Sequence, residues 1–187
     1  MKVSRKQVAE NRQRIVEQAA KLFRERGAAG VGVGEITAAA GLTHGGFYRQ
    51  FESKDALFAE ACTAALHDAE AELASALQRP EGVKAFTQTY LRTEHVSAAA
   101  SRCPIVTLAS DVARTGAGDD VSAQTAYAEG LRAFLAGGKA MQPGAPDWNT
   151  TTATLAAAIG AMLMARAVAR ADPDLAEAIV ASVRPQA

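Results

Sequence analysis

Hydrophobic positions near the start of the chain recur at the spacing of an amphipathic α-helix. They occupy positions i, i+4, i+7 and i+8, namely Ile15, Ala19, Leu22 and Phe23. This spacing predicts a helix over about residues 7–26. Gly27 follows, and glycine readily adopts the left-handed conformation that ends a helix. Two short helices are predicted over about residues 34–40 and 44–50, with a tight turn at residues 41–43 between them.

The remainder of the chain also has helical character. Ser53 is a favourable N-cap for a long helix that runs to about residue 78. Further helices are predicted over about residues 82–97, 104–114, 120–140, 148–170 and 174–183. Alanine, the residue with the highest helix propensity, occurs 44 times in 187 residues, whereas aromatic residues make up only 5%. Because β-branched and aromatic residues are too scarce for a large β-sheet, we predict an all-α fold of about nine helices.

The cysteine content and the N-terminal sequence indicate the expected cellular location of the protein. Two cysteines, Cys62 and Cys103, are too few for a disulfide framework, which indicates a reducing, intracellular setting. The first residues lack the apolar stretch of a signal peptide. The longest nearly apolar run, residues 153–165, is shorter than the ~20 residues that a bilayer-spanning helix needs. We therefore expect a cytoplasmic protein without membrane association.

The charges are distributed unevenly, although the formal net charge is zero. Residues 1–55 hold ten basic and six acidic side chains, a net charge of +4, and residues 56–187 carry the balancing −4. A basic region joined to an acidic one is expected when the basic part meets a polyanion such as DNA. Chance variation along a mixed surface is the alternative.

Residues 34–51 contain the parts of a helix-turn-helix, in which one short helix braces a second that enters the DNA major groove. Such a second helix must present small or polar residues outward, and its first turn here consists of Thr43, His44, Gly45 and Gly46. Each glycine lowers helix propensity by about 1 kcal/mol, a cost that close backbone approach to a partner would explain. Tyr48 and Lys54 can donate to phosphate oxygens. The alternative is a loop between two core helices.

Residues about 9–69 resemble the DNA-binding region of the TetR family of bacterial transcriptional regulators. The matching residues are Arg14-Ile15, Ala19-Ala20, Leu22-Phe23, Gly27, Gly34-Glu35-Ile36, Ala40-Gly41-Leu42-Thr43, Gly46-Phe47-Tyr48, Phe51 and Lys54-Asp55-Ala56-Leu57. The resemblance implies a three-helix DNA-binding head at residues 1–52 and a ligand-binding and dimerisation body, a helical bundle, at residues 53–187. It also implies a homodimeric repressor that binds a palindromic double-stranded DNA operator and is released when a small-molecule effector binds the body.

The resemblance assigns roles to individual residues of the predicted head. The residues expected at the major groove are Thr43, His44, Gly45 and Gly46. Those expected at phosphates are Tyr48, Lys54 and Thr37. Two positions depart from the family pattern: Val31 and Gly32 stand where Thr or Ser is common, so a hydroxyl cap and a phosphate contact are missing there. His44 stands where Lys is frequent, which should change the base preference.

Residues 148–170 and 174–183 resemble in position the helix pair through which the family dimerises. Leu155, Ile159 and Met162 form a stripe among alanine and glycine residues, and such small residues let helix axes approach closely. A dimer interface and a buried helix in a monomer core would both have this pattern.

The candidate effector-binding residues of the body are Phe86, Tyr90, Cys103, Tyr127 and Met162. At helical spacing such residues also serve as ordinary core. The segment around Cys103-Pro104 resembles a Gly-Cys-Pro segment of one TetR subgroup, and a thiol at a helix N-terminus gains reactivity. The alternative function is therefore a small-molecule-sensing or thiol-sensing helical protein that does not read DNA sequence. The sequence offers no nucleophile–base pair, paired carboxylates or metal-ligand cluster, so we expect no enzymatic activity, cofactor or metal site.

Overall fold

A computed structural model of the chain describes residues 4–78, 82–92, 95–96, 103–115, 120–140 and 148–185. In these ranges the regular structure is entirely helical, which confirms the predicted all-α fold. The helices with defined bounds are α1 (Arg5–Arg26), α2 (Val33–Ala39), α3 (His44–Phe47), α4 (Lys54–Leu77), α5 (Gly82–Tyr90), α6 (Pro104–Arg114), α7 (Ser122–Ala140), α8 (Trp148–Val168) and α9 (Pro173–Val183). Residues 116–119 and 141–147, which fall between predicted helices, lie outside the described ranges.

Two predicted helices end earlier than expected. Helix α3 ends at Phe47 rather than near residue 50, because residues 48–50 form a turn before α4. Helix α5 ends at Tyr90 rather than near residue 97, and Leu91 and Arg92 are not helical. The other predicted bounds agree with the structure to within about two residues, the usual uncertainty of helix ends.

The helix ends are fixed by local hydrogen bonds. The Ser4 hydroxyl accepts from the Gln7 N–H at 3.1 Å at the start of α1, and the Ser53 hydroxyl accepts from the Ala56 N–H at 3.0 Å at the start of α4, as predicted for Ser53. Gly27 ends α1 with φ 75° and ψ 159°. Its positive φ requires glycine, but its ψ is extended, so the expected left-handed helical geometry was wrong.

The described residues group into two compact units. The first comprises Met1–Asp68 and Cys103–Leu131. Its core joins side chains from α1 to α4 and α6, of which the largest fully buried ones include Ile15, Phe23, Ile36, Phe47, Leu57, Phe58 and Leu108. Phe23 and Phe58 meet edge to face with ring centroids 5.3 Å apart. This grouping follows packing rather than function, so the boundary between residues 52 and 53 stays a prediction.

The second unit comprises Ala69–Arg102 and Arg132–Ala187. Its core consists mainly of α8 and α9 side chains, and small residues such as Ala158, Ala161 and Ala165 let these two helices pack closely. Arg184 donates to the Leu91 carbonyl at 2.8 Å, which ties the end of α9 to the residue after α5. In the part of the chain that the structure describes, no helix combines the length and apolar character needed to cross a membrane.

Candidate nucleic-acid interface

Helices α2 and α3 are joined by a turn whose geometry depends on a single glycine. Gly41 has φ 70°, a conformation that side-chain-bearing residues rarely adopt. The turn is closed by the Leu42 N–H, which donates to the Thr37 carbonyl at 2.8 Å, and the Gly46 N–H donates to the Thr43 carbonyl at 2.8 Å at the start of α3. The predicted helix-turn-helix is therefore present as a local structure.

Apolar side chains on the inner face hold the two short helices in place. Ile36 of α2 and Phe47 of α3 are fully buried, Ala40 is buried, and Leu42 packs against the same core. Phe47 also stacks on Phe51 with ring centroids 5.5 Å apart. Because the inner face is fixed in this way, the opposite face of α3 has a defined orientation.

The outer face of α3 presents the residues predicted at the major groove. Thr43, His44 and Gly45 are exposed, and Gly46 is half-buried. Tyr48 is 64% exposed, and its ring meets the His44 ring edge to face at 5.7 Å between centroids. The structure thus brings these five residues together on one exposed turn.

Internal packing gives no reason for glycine at positions 45 and 46. A Cβ atom built at Gly45 meets no heavy atom within 4 Å, and at Gly46 the nearest atom is the Thr43 hydroxyl oxygen at 3.8 Å. Neither glycine has a positive φ. The alternative of a structural loop between core helices therefore does not account for the glycine pair.

Two of the predicted phosphate contacts lie in different surroundings. Lys54 is the first residue of α4, and its side chain is half-buried. Thr37 is only 1% exposed, and its hydroxyl shares its one hydrogen between the carbonyls of Val33 at 3.1 Å and Gly34 at 3.0 Å. The prediction for Thr37 is wrong, because its hydroxyl bonds to its own helix and faces the core.

The structure explains the two departures from the family pattern in different ways. Val31 is 1% exposed and belongs to the core of the first unit, so its apolar side chain contributes packing. Gly32 is the N-cap of α2, and no side chain caps this helix. A Cβ atom at Gly32 would meet nothing within 4 Å. Among the described residues, no other group therefore occupies the place of the capping hydroxyl that Thr or Ser would supply.

Arg12 supports the interface in a way that local sequence patterns do not reveal. Its guanidinium forms two hydrogen bonds with the Glu60 carboxylate, and these bonds raise the pKa of Arg12. The same guanidinium lies 4.4 Å from the centroid of the Phe51 ring. Arg12 thus links α1 to α4 beside the end of the helix-turn-helix. Its partner is 48 residues away in sequence, a separation that helical periodicity cannot predict.

The predicted effector-binding residues belong to both units. Phe86, Tyr90 and Met162 lie in the second unit, where Phe86 stacks on Tyr90 at 5.8 Å between centroids and Met162 is fully buried. Cys103 and Tyr127 lie in the first unit, where the Tyr127 hydroxyl donates to the Ile105 carbonyl at 2.7 Å. Each group has contacts of an ordinary core, and their role in ligand binding stays a prediction.

Burial controls the titration of the groups around Tyr127. Burial, with smaller contributions from the nearby Cys103 and Cys62 thiols, raises the pKa of Tyr127 to about 12. Burial, with a contribution from Asp111, raises the pKa of Cys62 to about 12. Cys62 is fully buried, whereas Cys103 is half-buried and occupies the N-cap position of α6 without a capping hydrogen bond from its side chain. Among the described side chains, no three or more His, Cys, Asp or Glu residues are grouped as metal ligands.

The sequence comparisons match the part of the chain that contains the helix-turn-helix. The family model described as bacterial regulatory proteins, tetR family, matches residues 15–61. The HTH-type transcriptional repressor DhaR of Mycobacterium sp. strain GP1 is 39% identical over 67 residues, which are 36% of this chain and 34% of that protein. The HTH-type transcriptional regulator AcrR of Shigella flexneri is 39% identical over 57 residues, 30% of this chain and 26% of that protein. The matches span about a third or less of these relatives.

Solved structures match nearly the whole chain. A TetR transcriptional regulator from Chloroflexus aurantiacus is 27% identical, with a TM-score of 0.68 over 96% of this chain and 94% of that one. The reduced form of NemR from E. coli has a TM-score of 0.73 at 21% identity, covering 95% of this chain and 99% of its own. The second likeness concerns the fold alone.

Proposed function

Because residues 15–61 match the tetR family model and the fold matches that of a TetR regulator, we propose that the chain is a homodimeric, ligand-responsive transcriptional regulator of the TetR family that binds a palindromic operator. The matched family and the two named relatives are transcriptional regulators, and the proposal assigns the same class of activity to this chain. The observation that carries the proposal is the exposed turn at Thr43–Tyr48, whose glycine pair leaves open space above the backbone.

In this proposal the first turn of α3 enters the major groove, which is about 12 Å wide. Thr43 and His44 are the exposed polar side chains that can reach base edges, and Gly45 and Gly46 let the backbone approach the DNA. Tyr48 and Lys54 donate to phosphates, which sets the register of the head without reading sequence. Thr37 is not part of the proposed contact surface because it is buried.

Dimerisation is proposed through α8 and α9. The exposed large apolar side chains on these helices are Leu163 at 53%, Met164 at 54% and Leu175 at 45%. Covering them in a second copy of the chain would remove apolar area from water. A two-fold axis at this pair would present two heads to the two halves of a palindrome.

The effector is proposed to bind in the second unit of the body, where Phe86, Tyr90 and Met162 are the candidate contacts, whereas the candidates Cys103 and Tyr127 belong to the first unit. The stacked rings of Phe86 and Tyr90, together with Phe134 at 6.4 Å from Phe86, would favour an apolar or aromatic small molecule. Effector binding is proposed to lower the affinity for the operator, which makes the regulator a repressor.

The proposal is tested with the purified full chain and a labelled duplex of the intergenic DNA upstream of its own gene. We expect fluorescence anisotropy to give tighter binding to this duplex than to a scrambled duplex of the same length. The affinity should fall steeply as the salt concentration rises, because phosphate contacts release counterions. Equal affinity for the two duplexes at every salt concentration would reject the proposal and favour the alternative, a sensing protein that does not read DNA sequence.

A further inference from the structure

The connection between α1 and α2 has few side chains of its own. It consists of residues 27–32, of which Gly27, Gly30 and Gly32 have no side chain. A Cβ atom at Gly30 would lie 2.6 Å from the Arg26 carbonyl oxygen, so this position needs glycine. Val31 is buried and supplies one apolar anchor. The path of the connection must therefore depend partly on groups from elsewhere in the chain.

One such group is the carboxylate of Asp111 on α6. Its Oδ2 accepts a hydrogen bond from the Ala28 backbone N–H at 2.7 Å, and its Oδ1 accepts from the Arg114 guanidinium at 2.8 Å. Asp111 is only 8% exposed, next to the buried Val112. A hydrogen bond from an N–H to a buried carboxylate is stronger than one between neutral groups, so this contact holds the backbone at Ala28 firmly in place.

The absence of a side chain at Gly27 makes room for this contact. A Cβ atom at Gly27 would lie 3.1 Å from Oδ2 of Asp111, and the residue already needs glycine for its φ of 75°. The end of α1 is therefore shaped so that a carboxylate from α6 can reach the next backbone N–H. Sequence reading assigns no role to Asp111, because its partner lies 83 residues away.

Ala28, the residue that Asp111 binds, lies close to the helix-turn-helix in the sequence. Ala28 precedes the start of α2 by five residues, and α2 packs against both α1 and α3. The ion pair of Arg26 with Glu35 also joins α1 to α2, but its side chains are 43% and 46% exposed, and such surface pairs contribute little. The position of α2 and α3 therefore depends on the buried contact more than on the exposed one.

We propose that Asp111 is a positioning residue for DNA binding. Its carboxylate holds the connection from which α2 and α3 begin, although it does not contact DNA itself. The Tyr127 hydroxyl of α7 donates a hydrogen bond to the Ile105 carbonyl of α6. This bond holds α6, the helix that carries Asp111, in place. The inference rests on the proposed function and adds to it a residue from the predicted body that sets the geometry of the head.

The experiment compares three variants of the full chain at a temperature well below the unfolding of each. Asp111→Ala removes the acceptor, Asp111→Asn keeps the shape and one neutral acceptor oxygen, and Val112→Ala removes neighbouring core packing without touching the hydrogen bond. Binding to the upstream duplex and to its scrambled counterpart is measured by anisotropy. Amide hydrogen exchange is followed at Ala28 and in α1.

We expect Asp111→Ala to lose about tenfold or more in affinity for the upstream duplex, with little change for the scrambled duplex. Asp111→Asn should recover part of the loss, and Val112→Ala should keep the wild-type ratio of the two affinities although it is less stable. The Ala28 amide should exchange faster in Asp111→Ala, while the amides inside α1 stay protected.

The outcomes separate this inference from the function on which it rests. A wild-type chain that does not distinguish the two duplexes rejects the proposed function, and the role of Asp111 with it. A wild-type chain that distinguishes them, together with an unchanged ratio in both Asp111 variants, rejects only the role of Asp111. An equal loss in Val112→Ala would also reject it, because the effect would then follow stability. If Asp111→Ala does not fold, Asp111→Asn gives the decisive comparison.

Discussion

In the proposed function, Gly45 serves DNA binding at the expense of stability. It lies in the first turn of α3, has no positive φ, and has open space where a Cβ atom would be. Gly45→Ala should therefore raise the free energy of unfolding, by about 0.4–1 kcal/mol, because alanine has less freedom in the unfolded chain. The added methyl group should hinder the approach of the backbone to the major groove. We expect binding to the upstream duplex to weaken by about tenfold, or 1.4 kcal/mol.

Gly137 provides the matched control for this change. It lies inside α7, and a Cβ atom there also meets nothing within 4 Å. Gly137→Ala should give a similar gain in stability, measured by urea unfolding, with unchanged affinity for the duplex. Wild-type affinity in Gly45→Ala would show that the glycine is not needed for close approach to DNA.

The Cys62 thiol is fully buried, and this burial makes the stability of the fold fall at alkaline pH. Cys62 is on α4, Asp111 is on α6 and Tyr127 is on α7. The pKa of Cys62 is raised from 9.0 to about 12. Between these values the unfolded chain loses the thiol proton while the folded chain keeps it, so the unfolded state binds fewer protons and stability falls as pH rises.

We expect this linkage to appear as a difference between the wild type and Cys62→Ala. From pH 8 to pH 10 the unfolding free energy of the wild type should fall by about 1.4 kcal/mol more than that of the variant. Each pH unit above the pKa of the unfolded thiol lowers the unfolding free energy by about this amount, and pH 10 lies one unit above that pKa. Val16→Ala, which removes part of a buried, non-titrating side chain of α1, is the control. Its difference from the wild type should be the same at both pH values. Parallel pH profiles for wild type and Cys62→Ala would contradict a raised thiol pKa.

At the level of elements, helix periodicity and capping residues predicted most of what the structure contains. The order of the helices, the Ser53 cap and the turn at Gly41 depend on neighbouring residues and could be predicted from them. The early end of α3 could not, because residues 48–50 form a turn there and no local pattern in the sequence distinguishes that turn from a continued helix. The burial of Thr37 could not either, since a threonine on a short helix has no local pattern that decides which face meets α1.

The long-range polar contacts lie beyond any local pattern. Arg12 with Glu60 and Ala28 with Asp111 join residues 48 and 83 positions apart. They also change the electrostatic picture of the whole molecule. Arg12 is one of the ten basic residues in residues 1–55, but its partner Glu60 lies outside that range. The net charge of +4 for this region therefore overstates the positive potential available to DNA, and exposed residues near α3 must supply more of the specific binding.

At the scale of the whole molecule, the proposed dimer determines how tightly DNA is held. Two linked heads on one palindrome bind more tightly than one head by about a hundredfold or more, because the second contact forms within the same complex. Leu163 is 53% exposed on α8, within the proposed interface. Leu163→Glu would place a charge in that apolar interface and should convert the dimer to monomers in sedimentation velocity at micromolar concentration.

The same variant should lose about a hundredfold in affinity for the full palindrome, while a duplex with one half-site is bound as by the wild type. Val121→Glu is the matched control, because Val121 is an apolar side chain of the first unit that is 56% exposed, outside the proposed interface. It should remain dimeric and keep its affinity. If Leu163→Glu stays dimeric, the proposed interface at α8 and α9 is rejected. If Val121→Glu dissociates as well, the effect of Leu163→Glu does not support that interface.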